Sequence, residues 1–179
     1  MSLLALGGVA TLPRAKGVPS QEDVLALALA AEELAREVYR RAVAARPFRG
    51  PWAAYLEAAL AQEEEHARRL REALGRQPAL RFRLPEVFQS PLLLLRLLER
   101  REEAFVGAYL GPLPLLEGEA LRLAGAILGV EAGHRVLVRQ ARLELQDPLL
   151  RPPFVANDRA LEQALSPEGA REALKPYLP

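Results

Sequence analysis

Apolar residues recur every three or four positions along four long stretches of this chain, with charged residues between them. That spacing puts the apolar side chains on one side of an α-helix, so it predicts four amphipathic helices that each bury one face. Ser20 with Asp23 forms a capping signal for the first helix, and Pro51 and Pro91 are typical first residues of the second and third. The predicted helices cover residues 21–45, 51–74, 91–110 and 115–145.

The segment between the second and third helices predicts how the helices are connected. Residues 75–90 contain Pro78 and Pro85 and show little periodicity, so we expect an extended connector. At about 3.3 Å per residue, this connector is longer than the preceding helix at about 1.5 Å per residue, and it can cross the whole bundle. The fold class is therefore predicted to be all-α, a four-helix bundle with a long crossover between helices 2 and 3.

Three regions are expected: a flexible N-terminal segment at 1–19, the bundle at 20–146, and a proline-rich tail at 147–179 that packs on the bundle. Two short helices are expected in the tail, one near 158–165 and one opened by Ser166-Pro167. Residues 1–10 resemble the end of a signal peptide but follow no basic segment. The chain as written is therefore expected to be cytoplasmic, and exported if the true start lies upstream.

Each predicted helix carries polar residues in the middle of its apolar face. Helices 1 and 3 each place one glutamate there, and helices 2 and 4 each place a glutamate followed three residues later by a histidine. Residues three apart share one face of a helix, so each glutamate and its histidine point into the same core. No other histidine occurs in the chain. The six residues are Glu32, Glu63, His66, Glu102, Glu131 and His134.

The polar pattern of the first helix pair is repeated in the second pair. A tyrosine follows each lone glutamate by seven residues, and an arginine follows each histidine by five. These residues are Tyr39, Tyr109, Arg71 and Arg139. One glutamate from each of two helices, with Glu-x-x-His from each of the other two, is the arrangement of di-iron and di-manganese carboxylate bundles.

The charge of such a core also favours metal. Four ionised carboxylates buried together without a cation would be prohibitively costly, and some would have to stay protonated. Two divalent ions supply four positive charges against four negative ones. Oxygen and imidazole ligands suit iron or manganese and leave zinc possible. We therefore expect two iron or manganese ions per chain.

Several residues near the six have alternative interpretations. Tyr39 and Tyr109 either hydrogen-bond the ligands or are themselves oxidised beside the metals, or they are ordinary core aromatics with satisfied hydroxyls. Arg71 and Arg139 either pair with ligand carboxylates or, as preferred, lie at the surface. Glu99 lies one turn before the helix 3 glutamate and is a reserve ligand. Two further glutamates are expected at the surface, Glu33 and Glu103.

Composition and surface patterns limit the partners. The net charge of +1 gives no reason to expect nucleic acid, no stretch is apolar enough for a membrane span, and the absence of cysteine excludes thiolate sites. Helix 3 is apolar on two sides at its start, so a homo-oligomer contact is expected on the face of residues 92–98. Gly125, Gly129 and Gly133 recur every four residues and are expected to mark close backbone approach.

With these motifs in place, the chain resembles the ferritin-like superfamily, and within it the bacterial and plant ferritin-like domain family that includes desiccation-related proteins. The resemblance covers about residues 20–146 and is carried by 31–39, 62–75, 102–111 and 126–134. It implies that Glu32 and Glu102 are terminal metal ligands, that Glu63 and Glu131 bridge the metals, and that each histidine caps one ion. Family members commonly carry a bulkier residue at the position of Gly133, which implies wider access here.

Two functions remain open at this point. The first is a redox enzyme whose metals oxidise Fe(II), or react with dioxygen or peroxide, as the superfamily does. The second is a non-catalytic metal-binding or stress-protection protein in which the metals only stabilise the bundle. A metal-free bundle that binds another protein through the leucines at the start of helix 3 is a third, weaker hypothesis.

Overall fold

The structure is a computed structural model that describes residues 18–76 and 80–179. The possible signal remnant at residues 1–10 lies outside the described residues. Within the described ranges the secondary structure is helical, with no strand. The main helices are α1 (Gln21–Ala45), α2 (Pro51–Leu74), α3 (Pro91–Leu110), α4 (Gly118–Glu144) and α5 (Pro167–Leu174), and short 3-10 turns cover Leu113–Leu115 and Lys175–Tyr177.

The helix starts follow from local sequence. Ser20 caps α1 through a reciprocal pair of hydrogen bonds, since its hydroxyl accepts from the Asp23 amide at 3.1 Å and its own amide donates to the Asp23 carboxylate at 3.0 Å. Proline opens α2, α3 and α5, where the missing amide hydrogen costs nothing. The fourth helix begins at Gly118, three residues later than the predicted 115, because Pro112 and Pro114 hold the preceding residues in a 3-10 turn.

The bundle consists of two helix pairs, α1 with α2 and α3 with α4, each joined by a short loop. The long connector between the pairs is built into the protein, since Phe88 is buried and Leu80, Phe82 and Val87 pack against the same core. The Arg83 amide also donates to the carbonyl of Tyr177 at 2.8 Å. The connector and the C-terminus therefore cover the bundle together.

The second apolar side of α3 is covered within the chain. Leu94 and Leu97 are fully buried in one cluster with Ala170 and Leu174 of α5. Of the leucines at the start of α3, only Leu93 is strongly exposed, at 46%. The expected subunit contact on residues 92–98 is therefore largely unavailable, and a homo-oligomer remains a prediction without an assigned surface.

The tail differs from its prediction in one element. The helix at Ser166-Pro167 forms, but no helix forms over 158–165. These residues form an extended strap instead, because their polar groups bind the bundle: the Leu165 amide donates to the Gly107 carbonyl at 2.8 Å, and Arg159 pairs with Glu103 at 2.5 Å. Contacts with α3 and α4 thus outweigh the weak preference of a short isolated helix.

The glycines of α4 do not mark a close approach. Gly125, Gly129 and Gly133 are exposed, and a Cβ atom built at any of them would meet nothing within 4 Å. The close approach occurs on α3, where a Cβ at Gly107 would lie 2.8 Å from the Gln163 carbonyl oxygen of the strap. None of the described helices is long and apolar enough to cross a membrane.

Candidate metal centre

The four helices of the bundle bring the six predicted polar residues together in the core. α1 contributes Glu32, α2 contributes Glu63 and His66, α3 contributes Glu102, and α4 contributes Glu131 and His134. All four glutamates are 0% exposed, and the histidines are 8% and 2% exposed. Buried charged side chains are rare unless they are paired, so this cluster needs a compensating charge.

The potential ligand atoms fall into two overlapping groups, within each of which they lie no more than 4.8 Å apart. The first group combines residues of α1, α2 and α4, and the second combines residues of α2, α3 and α4. Glu63 belongs to both groups. The first group consists of Glu32, Glu63, His66 and Glu131, and the second of Glu63, Glu102 and His134.

Two of the glutamates span both histidines. Glu63 places Oε2 at 3.4 Å from Nδ1 of His66 and Oε1 at 3.1 Å from Nδ1 of His134. Glu131 places Oε1 at 3.2 Å from Nδ1 of His66 and Oε2 at 3.9 Å from Nδ1 of His134. Each carboxylate thus presents one oxygen to each histidine, which is the geometry that a bridging ligand requires.

Many of these atoms have no hydrogen-bond partner within the part of the chain that the structure describes. Both oxygens of Glu63, both oxygens of Glu131, Oε2 of Glu102 and Nδ1 of His134 are buried and unpaired. Leaving buried polar atoms unsatisfied costs about 1–3 kcal/mol each, and more when they are charged. So many lone pairs converging on one space fit a pair of bound cations.

Without a cation, burial and mutual repulsion change the protonation of the cluster. Burial raises the pKa of Glu63, Glu102 and Glu131 well above 4.5, and the neighbouring carboxylates raise it further. Burial lowers the pKa of His66, but contacts with three carboxylates, led by Glu131, raise it to about 12. Protons therefore provide the compensating charge when metal is absent.

The pKa values of the remaining two residues of the cluster, Glu32 and His134, are lowered. Burial raises the pKa of Glu32, but its contacts, led by the one with His66, outweigh burial and leave the pKa below 4.5. Burial lowers the pKa of His134 below 6.5. Metal-free protein thus holds a Glu32 carboxylate against a protonated His66, beside a neutral His134.

The two predicted tyrosines each bind the lone glutamate of the other helix pair. The Tyr39 hydroxyl of α1 donates to Oε1 of Glu102 at 2.5 Å, and the Tyr109 hydroxyl of α3 donates to Oε1 of Glu32. Burial raises the pKa of both phenols well above 10, so they stay protonated donors. Each tyrosine orients one carboxylate through Oε1, so that Oε2 faces the centre, where Oε2 of Glu32 lies 3.3 Å from Nδ1 of His66.

Sequence reasoning missed two residues beside the centre. Oε1 of Gln62 lies 2.7 Å from Nε2 of His134, and the hydroxyl of Tyr55 lies 2.9 Å from that of Tyr39. With its amide oxygen toward the ring, Gln62 keeps the proton on Nε2 and leaves Nδ1 of His134 free to bind a cation. Gln62 lies beside Glu63 in sequence, which was the available signal, but one residue rotates it off the apolar face.

Comparison with known families supports the fold. The family model described as the ferritin-like domain matches residues 20–144, which is more than half of the chain. The chain belongs to the ferritin-like domain family. A search of curated proteins finds no match.

Two further glutamates of this ferritin-like domain are buried but lie outside both groups. Glu33, predicted at the surface, is only 6% exposed and accepts from Arg71 at 2.8 Å and from Arg36 at 3.0 Å. The prediction for Glu33 is therefore wrong. Arg71 pairs with this glutamate rather than with one of the six clustered residues, and it is half-buried rather than at the surface.

Glu99, the reserve ligand, is also neutralised by arginine. It accepts from Arg139 at 2.8 Å and from Arg142, and it is only 6% exposed. Arg139 is buried, so the preferred surface role is wrong for that residue as well. Glu103, predicted at the surface, is half-buried beside Arg159 of the strap.

Proposed function

We propose that this ferritin-like domain binds two iron or manganese ions, with zinc possible, between the four core glutamates and two histidines, and that the loaded centre reacts with dioxygen or peroxide. The observation that carries the proposal is the set of buried, unpaired oxygens on Glu63, Glu102 and Glu131. Among residues 18–76 and 80–179, no arginine or lysine neutralises them, so cations of the right size are the missing partners.

The proposed ligand roles follow from which atoms face each other. Glu63 and Glu131 would bridge the ions, because each presents one oxygen to each histidine. Glu32 and Glu102 would be terminal ligands, each held by one tyrosine hydrogen bond. Nδ1 of each histidine faces the carboxylates and would bind one ion.

When bound, two such ions would supply one electron each to an oxidant, without an organic cofactor. The residues of the chain would do the rest. Burial of the glutamates excludes bulk water from the site, and the tyrosine hydroxyls keep the terminal carboxylates in place. Access for a small oxidant is expected beside His66, the most exposed of the six residues.

Anaerobic loading with Fe(II) followed by exposure to air tests the reaction. The expected result is loss of Fe(II) and growth of an absorbing Fe(III) species at a rate well above that of Fe(II) in buffer. The matched control is Glu63→Ala, which should slow the oxidation to the rate of the buffer blank. Fe(II) that binds and raises the melting temperature, but oxidises no faster than in buffer, would instead favour metals that only stabilise the bundle.

A further inference from the structure

The two tyrosines that hold the terminal glutamates have different surroundings. Beyond Tyr39 a second aromatic residue follows, because the hydroxyl of Tyr55 lies 2.9 Å from its own and the two rings are 6.3 Å apart at 83°. Among the described residues, the aromatic ring contacts involve Tyr39, Tyr55, Trp52 and His134, and none involves Tyr109. The pseudo-symmetry of the two helix pairs is thus broken at this side of the centre.

The aromatic chain continues from Tyr55 toward the surface. The ring of Trp52, the only tryptophan of the chain, lies 6.1 Å from that of Tyr55 at 84°. The Trp52 indole N–H donates to Oε2 of Glu144 at 3.0 Å, in an exposed position. Exposure rises along the chain, since Tyr39 is 1% exposed while Tyr55 and Trp52 are half-buried. Easily oxidised side chains therefore connect the core to solvent without a gap.

We propose that Trp52, Tyr55 and Tyr39 form a one-electron conduit through which a soluble one-electron reductant at the surface supplies electrons to the metal centre. Electron tunnelling falls steeply with distance, so several short steps between touching rings carry charge further than one long step. The proposal rests on the proposed function for its destination, but the aromatic chain itself can be tested without metal.

The electron and proton steps balance along this chain. With dioxygen or peroxide as the oxidant at the centre, Tyr39 would lose an electron to the centre and its phenolic proton to Glu102, to which it is already hydrogen-bonded. Tyr55 would restore Tyr39 by giving it one electron and the proton of the hydrogen bond between the two hydroxyls.

The outer steps balance in the same way. Trp52 would return an electron to Tyr55, which takes a proton from solvent, while the indole proton of Trp52 passes to Glu144. The external reductant would then restore Trp52 with one electron, and the proton returns from Glu144. The net result is one electron carried from the reductant to the centre and one proton delivered from solvent to Glu102.

Flash photolysis of the full chain with no metal added tests the conduit directly. A photoexcited ruthenium polypyridyl complex with a cobalt(III) acceptor oxidises exposed aromatic residues, and all proteins carry Tyr177→Phe so that the half-buried Tyr177 gives no signal. The expected result is a tryptophanyl radical that decays as a tyrosyl radical grows, seen by transient absorption and by electron paramagnetic resonance of frozen samples. Circular dichroism confirms that each variant is folded.

Substitutions test whether the radical signal comes from Trp52, Tyr55 and Tyr39. Trp52→Phe should reduce the tyrosyl yield to that of a double Tyr39→Phe, Tyr55→Phe variant, and Tyr55→Phe alone should prolong the tryptophanyl radical. Tyr109→Phe is the matched control, because Tyr109 binds a terminal glutamate in the same way but has no row of aromatic residues behind it. The tyrosyl yield of this variant should equal that of the parent protein.

A tyrosyl yield that is unchanged in Trp52→Phe, or lost in Tyr109→Phe as fully as in the double Tyr39→Phe, Tyr55→Phe variant, would overturn the conduit. This result is independent of the metal. If the protein transfers the radical from Trp52 to the tyrosines but binds no iron or manganese, the conduit is supported and the proposed function is rejected.

Discussion

Two sets of glutamates are buried in this bundle, and they differ in what neutralises them. Glu32 and Glu33 are neighbours in sequence and are 0% and 6% exposed. Glu33 nevertheless pairs with two arginines, and Glu32 pairs with none of the described arginines. One residue of offset turns a side chain by about 100° on a helix, which separates the centre from the flank of the bundle.

The same difference recurs on α3. Glu99 and Glu102 are one turn apart and both buried. Glu99 accepts from Arg139 and Arg142, whereas Oε2 of Glu102 has no hydrogen-bond partner among the residues described. Burial alone therefore does not identify a metal ligand. What identifies the candidate centre is a group of buried carboxylates from which the abundant arginines of this protein are absent.

The largest expected effect is loss of metal when a core glutamate is replaced, with a replacement in the arginine-paired set as the control. Glu63→Ala should abolish loading of at least one metal ion, because Glu63 belongs to both ligand groups. Glu33→Gln, the matched control, should bind the same number of ions as the unchanged protein, since it lies outside both groups. Elemental analysis after loading with Mn(II) and desalting measures both, and normal loading of Glu63→Ala would reject its role as a bridge.

The next largest effect should be a dependence of metal affinity on pH that comes from the core glutamates and not from the arginine-paired ones. The pKa values of three core glutamates are raised, and that of His66 is raised to about 12, so bound ions must displace protons from the cluster. At a pH below these pKa values the groups hold their protons. The affinity for metal should therefore rise with pH, by about tenfold per pH unit for each proton displaced.

Competition titrations with a chelator of known affinity at two pH values measure this dependence. A pH indicator in weakly buffered solution should report proton release during loading. The Glu33→Gln control should show the same slope as the unchanged protein. Loading that releases no protons and has no pH dependence would contradict the assigned protonation of the cluster.

Removing a carboxylate from the arginine-paired set should lower the stability of the fold and leave the metal content unchanged. Glu99→Gln removes one of the two carboxylate partners of Arg139 and of Arg142, which keep Asp158 and Asp147 respectively, so we expect it to lower the free energy of unfolding by about 2 kcal/mol. Chemical denaturation gives this value, and metal content after loading should not change. Loss of an ion in a folded Glu99→Gln protein would make Glu99 a ligand after all.

The smallest expected effect concerns the strap, which carries the partners of the buried arginines on α4. Gly107→Ala would place a Cβ 2.8 Å from a backbone oxygen of the strap, and such overpacking should cost about 1–2 kcal/mol. Gly125→Ala, in open space on α4, should stabilise the protein by about 1 kcal/mol through helix propensity. Equal effects of the two changes on the denaturation midpoint would contradict the close packing of the strap.

Periodicity was enough to predict the fold and the six clustered residues. Three of the four long helices have the predicted bounds, and Glu32, Glu63, Glu102 and Glu131 converge because each lies in the middle of an apolar face. A helix pattern reports which face is buried, and buried faces in a bundle must meet.

Other features could not be predicted because they depend on contacts between distant segments. Arg71, one of the two partners of Glu33, comes from α2, and the partners of Glu99 come from α4. No pattern within one helix shows which arginine of another helix lies opposite. The strap at 158–165 was predicted as a helix for the same reason, since its partners on α3 and α4 are remote in sequence. Tyr55 and Gln62 were missed because they lie off the apolar face of α2.

Elemental analysis of the full chain, loaded with Fe(II) or Mn(II) and then desalted, tests the candidate centre most directly. The arrangement of four carboxylates and two imidazoles predicts about two ions per chain, held through desalting. A folded protein that retains well below one ion per chain under these conditions would contradict a dimetal centre in this bundle.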